Sequence, residues 1–205
     1  MGYDSEPVGA LLSQVASPSI TPGGGTCAAV VGATGAALCE MGCVHTVGKD
    51  GYGDVEAALE ATGEELRAAR DRLLGLADAD AAAARTLFDA IGSGEDTERA
   101  AKRATGVPLA VAETCVAVLE AAATVVAQGT DTARPDVVTG ALCVEGARRG
   151  ALFTVRTNAD FLADDSFVAD IERRAADIDD RAASALAAID DHVGSRLWGG
   201  RGSMP

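Results

Sequence analysis

A glycine turn near the start of the chain, Pro22-Gly23-Gly24-Gly25-Thr26, has the clearest potential for binding chemistry. A long run of small residues follows the turn and is predicted to form a helix. The first N–H groups of a helix have no partner within the helix, and the helix dipole favours negative charge beside them. The turn could therefore bind a carboxylate or a phosphate. On its own, a run of glycines more often marks only a tight turn that lets helices approach.

Lys49 is a second candidate, because it directly follows the predicted end of the same helix. The chain contains one other lysine, Lys102. An ammonium group could bind a carboxylate or assist proton transfer here, since burial readily lowers the pKa of lysine. The helix dipole alone also favours a cation at a C-terminal helix end, so a purely structural role is the alternative.

Arg134 and Asp136 lie on either side of Pro135, where a later helix is predicted to begin. The loop before this point, residues 129–135, separates two long helical segments. A carboxylate in this position can cap the helix, which contributes about 1 kcal/mol. The pattern therefore places a cation and a carboxylate together at a helix entrance.

The periodicity of the apolar residues predicts an all-α protein, a bundle of several helices. Apolar positions recur at intervals of three and four, and no segment of convincing length alternates with a period of two. Aromatic residues make up only 3% of the chain. The small-residue helix is apolar on all sides, so we expect it to be the central helix, covered on every side and in part by a second subunit.

We predict seven helices in one domain, residues 1–195, followed by a flexible tail, residues 196–205. The predicted starts, in chain order, are the glycine turn, Asp54, Asp78 or Asp80, Thr97, Pro108, Asp136 and the residues after Asp165. The third helix is expected to end at Ile91, the fourth by Gly106 and the fifth at Gln128. No segment is expected to span a membrane, because the apolar runs are short or contain acidic residues.

The charge balance is strongly acidic, with 31 acidic and 17 basic side chains and a formal net charge of −14. Nucleic acids and anionic membranes are bound by patches of lysine and arginine, so we expect neither as a partner. Salt reduces the self-repulsion of such a surface by shortening the screening length to about 3 Å at 1 M. We therefore predict a protein from a halophilic organism that is poorly stable in dilute buffer. The alternative is an ordinary acidic protein.

The cysteines are odd in number, lie in apolar segments and lack paired CxxC spacing. They are Cys27, Cys39, Cys43, Cys115 and Cys143. This pattern favours small core residues over disulfides or metal ligands, and we predict no metal site. Because no signal peptide is predicted either, we expect a reducing cytoplasm as the location.

Five short motifs follow one another in a characteristic order. They are Pro22-Gly23-Gly24-Gly25-Thr26, Thr46-Val47-Gly48-Lys49, Asp78-Ala79-Asp80-Ala81, Val107-Pro108-Leu109 and Arg134-Pro135-Asp136-Val137-Val138. In this order they resemble the cyclodeaminase family, which includes formiminotetrahydrofolate cyclodeaminase and the free-standing methenyltetrahydrofolate cyclohydrolase. The resemblance runs from about Gly9 to about Asp191. It implies a helical homodimer with sites at or near the subunit interface.

The resemblance also implies roles for individual residues. The catalytic candidates are Asp136, Lys49 and Asp80, and the substrate-binding candidates are Gly23, Gly24, Gly25, Thr26, Arg134 and Asn158. The carboxylate of Asp136 would bind the pterin ring or act as a base on water, with Lys49 transferring protons or orienting the substrate. Asn158 could instead be a plain buried hydrogen-bonding residue. Pro135 stands where the family has a serine, and Thr130 and Thr154 where it has asparagines.

The implied activity is that of a methenyltetrahydrofolate cyclohydrolase, which hydrolyses 5,10-methenyltetrahydrofolate to 10-formyltetrahydrofolate. One alternative is a formiminotetrahydrofolate cyclodeaminase that releases ammonia, and another is a non-catalytic folate-binding or scaffold protein. Cyclodeaminases are usually fused to a formiminotransferase domain, for which 205 residues leave no room. This favours the cyclohydrolase. An acid and a base suffice for the reaction, so no cofactor is expected.

Overall fold

The computed structural model describes residues 2–94 and 96–194, most of which are helical. The helices are α1 (Val8–Val15), α2 (Gly24–Val44), α3 (Glu56–Ser93), α4 (Thr97–Gln128), α5 (Arg134–Ala159) and α6 (Asp165–His192), with a 3-10 turn at Gly53–Val55. These residues contain no strand, which confirms the prediction of an all-α protein. The predicted tail, residues 196–205, lies outside the described residues.

Helices α2, α3, α4 and α5 form a four-helix bundle in which α2 and α4 lie across a diagonal. Helix α6 packs mainly on the outer side of α4. Neighbouring helices α2 and α5 run antiparallel, because Gly42 of α2 faces Val137 at the start of α5 and Ala28 faces Gly150 near its end. The bundle has the up-down arrangement that short connecting loops favour.

Helix α2 occupies the central position that its composition predicts, since it contacts α3, α4 and α5. Its small residues permit a very close approach to α5. A side-chain carbon added at Gly35 would lie 2.5 Å from the carbonyl oxygen of Gly140. One side of α2 is nevertheless uncovered in the single chain, along a stripe of exposed or half-exposed apolar residues. These are Cys27, Val30, Val31, Leu38, Met41 and Val44.

The predicted helix starts at Asp78 or Asp80 and at Pro108 are wrong, because α3 and α4 run through these positions without a break. Both aspartates cap other segments instead of their own helix. Asp78 accepts a hydrogen bond from the backbone N–H of Tyr3 at 3.0 Å, and Asp80 accepts one from the hydroxyl of Thr26 at 2.8 Å. The sequence pattern could not distinguish such distant caps from local ones.

Pro108 is tolerated inside α4 because the carbonyl that it leaves free has another donor. Proline lacks the N–H that would bond to the carbonyl four residues earlier. That carbonyl belongs to Ala104, and it accepts a hydrogen bond from Nδ2 of Asn158 in α5 at 2.7 Å. A side chain of the neighbouring helix therefore replaces the missing backbone hydrogen bond.

The remaining boundaries lie close to the predicted ones, with small differences. Asp54 lies in the 3-10 turn and is not the N-cap of α3, and α5 begins at Arg134, two residues before Asp136. Helix α6 begins at Asp165, one residue before the predicted start, after its N-cap Asp164. Helix α1 is absent from the sequence prediction.

Helices α2 and α4 are long and apolar enough to cross a membrane when judged by length and composition alone. In the bundle, 56% and 61% of their most apolar windows are buried. Core helices of water-soluble proteins meet the same criterion, so the expectation that no segment spans a membrane stays a prediction.

The cysteines behave largely as the sequence predicts. Cys39, Cys43 and Cys115 are buried, and burial raises the pKa of their thiols to about 12, about 11 and about 12. Cys27 and Cys143 are only half-buried, and all five are free thiols. The three core cysteines are therefore poor nucleophiles at neutral pH.

Candidate active site

The carboxylate of Asp80, in the middle of α3, meets the N-terminus of α2. Its Oδ2 accepts a hydrogen bond from the hydroxyl of Thr26 at 2.8 Å, and both residues are buried. The backbone N–H of Thr26 also hydrogen-bonds to this carboxylate. The N-cap of α2 is Gly23, which has no side chain to satisfy these N–H groups. Asp80 therefore caps α2 from a neighbouring helix.

Gly25 provides the space that Asp80 occupies. A Cβ atom at this position would lie 2.4 Å from Oδ1 of Asp80, whereas a Cβ atom at Gly24 would have no neighbour within 4 Å. The backbone N–H groups of Gly24 and Gly25 have no acceptor in the part of the chain that the structure describes. One glycine is thus required by packing, and the turn still leaves N–H groups available to an anion.

Burial raises the pKa of Asp80 above the ordinary value of 3.8, although the hydrogen bonds from Thr26 oppose the rise. A carboxylate with a raised pKa exchanges protons at a less acidic pH, as a general acid or base requires. Burial likewise raises the pKa of the nearby Cys27 thiol, and the charge of Asp80 adds to the effect.

Asn158 lies towards the same end of the bundle, because the C-terminal half of α5 packs beside the N-terminal half of α2. Its Nδ2 already donates to the carbonyl of Ala104 at 2.7 Å. Its Oδ1 and the second N–H of Nδ2 remain available to a ligand. This hydrogen bond is a structural role for Asn158, and its substrate-binding role stays a prediction.

Lys49, Arg134 and Asp136 lie at the opposite end of α2. Lys49 is exposed in the turn after the helix, and Asp136 is exposed in the first turn of α5. Neither side chain has a hydrogen-bond or ion-pair partner among residues 2–94 and 96–194. Both groups are therefore free to contact a substrate or another subunit.

Arg134 is anchored at the edge of a cavity of about 630 Å³. Its Nη2 lies 2.6 Å from Oδ1 of Asp131, and its Nε donates to the carbonyl of Val126 at 3.2 Å. The apolar part of the wall is formed by Pro135, Val138, Leu142 and Val193. An apolar wall with a few charged groups is typical of small-molecule sites.

The two groups of candidate residues are separated by the length of α2. This helix has 21 residues, which at about 1.5 Å per residue corresponds to roughly 30 Å. Because α5 runs antiparallel to α2, Asp136 lies near the C-terminal end of α2 and far from the glycine turn. The glycine turn and Asp136 therefore do not form one site within a single chain.

Two polar residues, Glu40 in α2 and His45 directly after it, have environments that the sequence did not reveal. Glu40 is buried and forms ion pairs with Arg67 at 3.0 Å and with Arg70 at 2.6 Å, both from α3. His45 is exposed at the C-terminal end of α2 and does not belong to the core. The buried carboxylate of Glu40 thus has a structural partner, whereas the histidine faces solvent.

Arg85, five residues after Asp80 on α3, is a further polar residue near this site. Its Nη1 donates to Oγ1 of Thr21 at 2.7 Å, directly before the glycine turn. No local pattern could have indicated this contact, because 64 residues separate the two partners along the chain.

The sequence of this chain is similar to those of one family of known proteins. A profile of the formiminotransferase-cyclodeaminase family matches residues 7–177. The methenyltetrahydrofolate cyclohydrolase of Methylorubrum extorquens is 35% identical over 174 residues, which cover 80% of this chain and 84% of the relative. The formimidoyltransferase-cyclodeaminase of Sus scrofa is 30% identical over 202 residues and 93% of this chain. The chain spans only 37% of that protein's length.

The fold also occurs in a crystal structure of formiminotetrahydrofolate cyclodeaminase from Thermotoga maritima. The TM-score is 0.91, with 95% of this chain and 99% of the other covered at 24% sequence identity. At this identity the likeness shows the shared fold alone. The profile match and the Methylorubrum relative, however, extend over most of the sequence. The chain therefore belongs to the formiminotransferase-cyclodeaminase family, as the order of its five motifs predicted.

Proposed function

We propose that this protein is a methenyltetrahydrofolate cyclohydrolase that converts 5,10-methenyltetrahydrofolate to 10-formyltetrahydrofolate. The buried pair of Asp80 and Thr26 carries the proposal, because it holds a carboxylate of raised pKa beside the open N-terminus of α2. The similarity to the Methylorubrum protein of that name, over 84% of its length, supports the choice of reaction.

The reaction requires a proton acceptor near a cationic carbon. A carboxylate beside the amidinium bridge stabilises its positive charge and accepts a proton as the water oxygen bonds to the bridge carbon. The hydroxyl of the adduct then loses its proton while the bond from that carbon to N5 breaks, and N5 gains a proton. One proton is released overall, and no cofactor takes part in these steps.

Each candidate residue has its own role in the proposed site. Asp136 accepts the proton of the attacking water, and Lys49 donates a proton or orients the substrate. Asp80 supports them, because a carboxylate with a raised pKa can exchange protons within the site. The remaining contacts to the substrate come from the backbone of the glycine turn, from Arg134 and from Oδ1 of Asn158.

The two groups of residues meet, in our proposal, across the interface of a homodimer. The uncovered apolar stripe of α2 belongs to a helix that packs against α5, and α5 itself carries an exposed apolar side chain, Phe153, at 70%. Apolar surface on neighbouring helices is typical of a subunit interface. A twofold axis perpendicular to α2 reverses the helix direction and brings the N-terminal end of one copy beside the C-terminal end of the other. Each site then combines Asp80 of one subunit with Lys49 and Asp136 of the partner subunit.

Two parallel assays test the activity. Loss of methenyltetrahydrofolate absorbance measures the hydrolysis, and ammonia release from formiminotetrahydrofolate measures the second candidate activity. The likeness to the Sus scrofa protein favours that candidate, a cyclodeaminase. Hydrolysis without ammonia release supports our proposal. Folate binding with neither reaction indicates a non-catalytic folate-binding or scaffold protein and overturns it.

Mixing two inactive variants tests the shared site. We expect Asp80→Asn and Asp136→Asn each to abolish activity, because each removes a carboxylate from every site. After unfolding and refolding together, half of the dimers contain one chain of each kind, and each of these regains one intact site. The mixture should therefore recover about a quarter of the activity of the unmodified protein. Each variant refolded alone is the control, and a mixture that remains inactive contradicts the interface proposed here.

The proposed location is the cytoplasm. All five cysteines are free thiols, which is consistent with a reducing compartment. Fractionation of the source cells, with detection of the protein by an antibody, tests this assignment.

A further inference from the structure

Arg85 is a cation without a carboxylate partner in a protein whose formal net charge is −14. Most arginines in the described part of the chain form ion pairs, but no carboxylate oxygen of these residues lies within 4.0 Å of its guanidinium nitrogens. Its Nη1 instead donates to the neutral hydroxyl of Thr21 at 2.7 Å. An exposed guanidinium with free N–H groups remains available for an anionic ligand, and its planar shape matches a carboxylate.

This arginine lies beside the candidate site. It follows Asp80 by five residues on α3, which is about 7 Å along the helix axis. Its partner Thr21 directly precedes the glycine turn at the start of α2. Tyr3 is also close to Arg85. Burial raises the pKa of the Tyr3 phenol, and the positive charge of Arg85 opposes that rise.

A cavity of about 500 Å³ opens in front of Arg85, between α3 and the segment that leads to the glycine turn. It is lined by Pro18, Ser19, Ile20, Thr21, Arg85 and Asp89. Ile20, which is 55% exposed, provides an apolar wall. Asp89 adds a negative charge one turn beyond Arg85. A carboxylate ligand would therefore be drawn to the arginine side of the cavity.

We propose that Arg85 binds a carboxylate of the glutamate tail of the substrate in this cavity. The inference rests on the proposed function, because it takes the substrate to be a tetrahydrofolate. In such a molecule an aminobenzoyl ring and an amide separate the reactive bridge from the tail carboxylates. Thr21, which lines the cavity, directly precedes the glycine turn, and Asp80 bonds to Thr26 at the end of that turn. A substrate whose bridge lies near Asp80 can therefore direct its tail towards Arg85.

The test compares Arg85→Gln with Arg72→Gln on two substrates. Arg72 is an exposed arginine of the same helix that also has no ion pair with a described residue, and it does not line the cavity. The substrates are methenyltetrahydrofolate and methenyltetrahydropteroate, which lacks the glutamate. We expect Arg85→Gln to raise KM about fivefold for the first substrate only, as for a partly exposed ion pair. The kcat of Arg85→Gln should stay unchanged, and so should the kcat and KM of Arg72→Gln.

An equal effect of Arg85→Gln on the two substrates, or no effect on either, overturns the inference while leaving the proposed function intact. If the unmodified protein hydrolyses neither substrate, the proposed function fails. Binding measurements then test whether Arg85 contacts the glutamate carboxylate. The probes are 5-formyltetrahydrofolate and 5-formyltetrahydropteroate, measured by calorimetry. Weaker binding of only the glutamate-containing probe to Arg85→Gln supports the role of Arg85. Unchanged binding, or no binding to the unmodified protein, overturns it.

Discussion

At the scale of single residues, Gly25 shows how tightly the site is packed. Its missing side chain lets the carboxylate of Asp80 reach the first turn of α2. We expect Gly25→Ala to lower the free energy of unfolding by about 1–3 kcal/mol, because the new Cβ atom must displace that carboxylate. Thermal unfolding followed by circular dichroism measures the change.

Gly24→Ala is the matched control, since a Cβ atom at Gly24 meets no heavy atom within 4 Å. We expect it to change the stability by less than about 0.5 kcal/mol. Equal destabilisation by the two variants would show that the contact between Gly25 and Asp80 does not constrain this turn.

Asp80 should control the response to acid, because burial raises its pKa above 3.8. If the ionised form is needed for activity, kcat/KM falls on the acid side with an apparent pKa above 3.8. The free energy of unfolding also depends on pH through the raised pKa of Asp80. As the pH rises from 3.8 to the raised pKa, the unfolded chain releases its proton first, so the contribution of Asp80 to stability decreases.

The measurement is the difference in free energy of unfolding between the unmodified protein and Asp80→Asn across this pH range. A difference that does not vary with pH would be inconsistent with a raised pKa of Asp80.

At the scale of helices, the hydrogen bond from Asn158 to the carbonyl of Ala104 compensates for Pro108 in α4. We expect Asn158→Ala to destabilise the protein by about 1–3 kcal/mol, because it leaves the carbonyl without a donor. In the background of Pro108→Ala the cost should be smaller, since the restored backbone N–H can bond to the same carbonyl. Chemical denaturation of the four proteins of this cycle measures the coupling, and equal costs in both backgrounds would exclude compensation.

The outer face of α2 and α5 is expected to join two subunits. We assign to this face Phe153 of α5, which is 70% exposed, whereas Phe88, which is 54% exposed, belongs to α3. We expect Phe153→Asp to shift the protein from dimer to monomer and to abolish activity, because the charge would be buried in the interface. Phe88→Asp is the matched control and should leave the oligomeric state and the activity unchanged. Sedimentation velocity measures the assembly, and a monomeric unmodified protein would refute the proposed homodimer.

At the scale of the whole molecule, the acidic surface predicts a dependence on salt. A formal net charge of −14 repels itself most strongly in dilute buffer, and the screening length falls from about 10 Å at 0.1 M salt to about 3 Å at 1 M. We expect the melting temperature to rise by on the order of 5–10 °C over this range of potassium chloride. Differential scanning calorimetry in a salt series measures it. A constant melting temperature would favour the alternative of an ordinary acidic protein over adaptation to a halophilic cell.

The sequence by itself determined the class of the fold, the central place of α2 and the family. Helical periodicity and the small residues of α2 are local properties, and the packing of α2 against α3, α4 and α5 follows from them. The order of the five motifs likewise depends on the chain alone, and it led to the family that the profile over residues 7–177 shows.

Only the tertiary structure decided which of the candidate residues lie together. Asp80 reads in the sequence as a helix start, but α3 continues through it and its side chain caps α2 from 54 positions away. The antiparallel packing of α2 and α5 places Asp136 at the far end of α2 from the glycine turn. The direction in which two helices pack depends on contacts between residues distant in the chain, and periodicity along one helix contains no information about them.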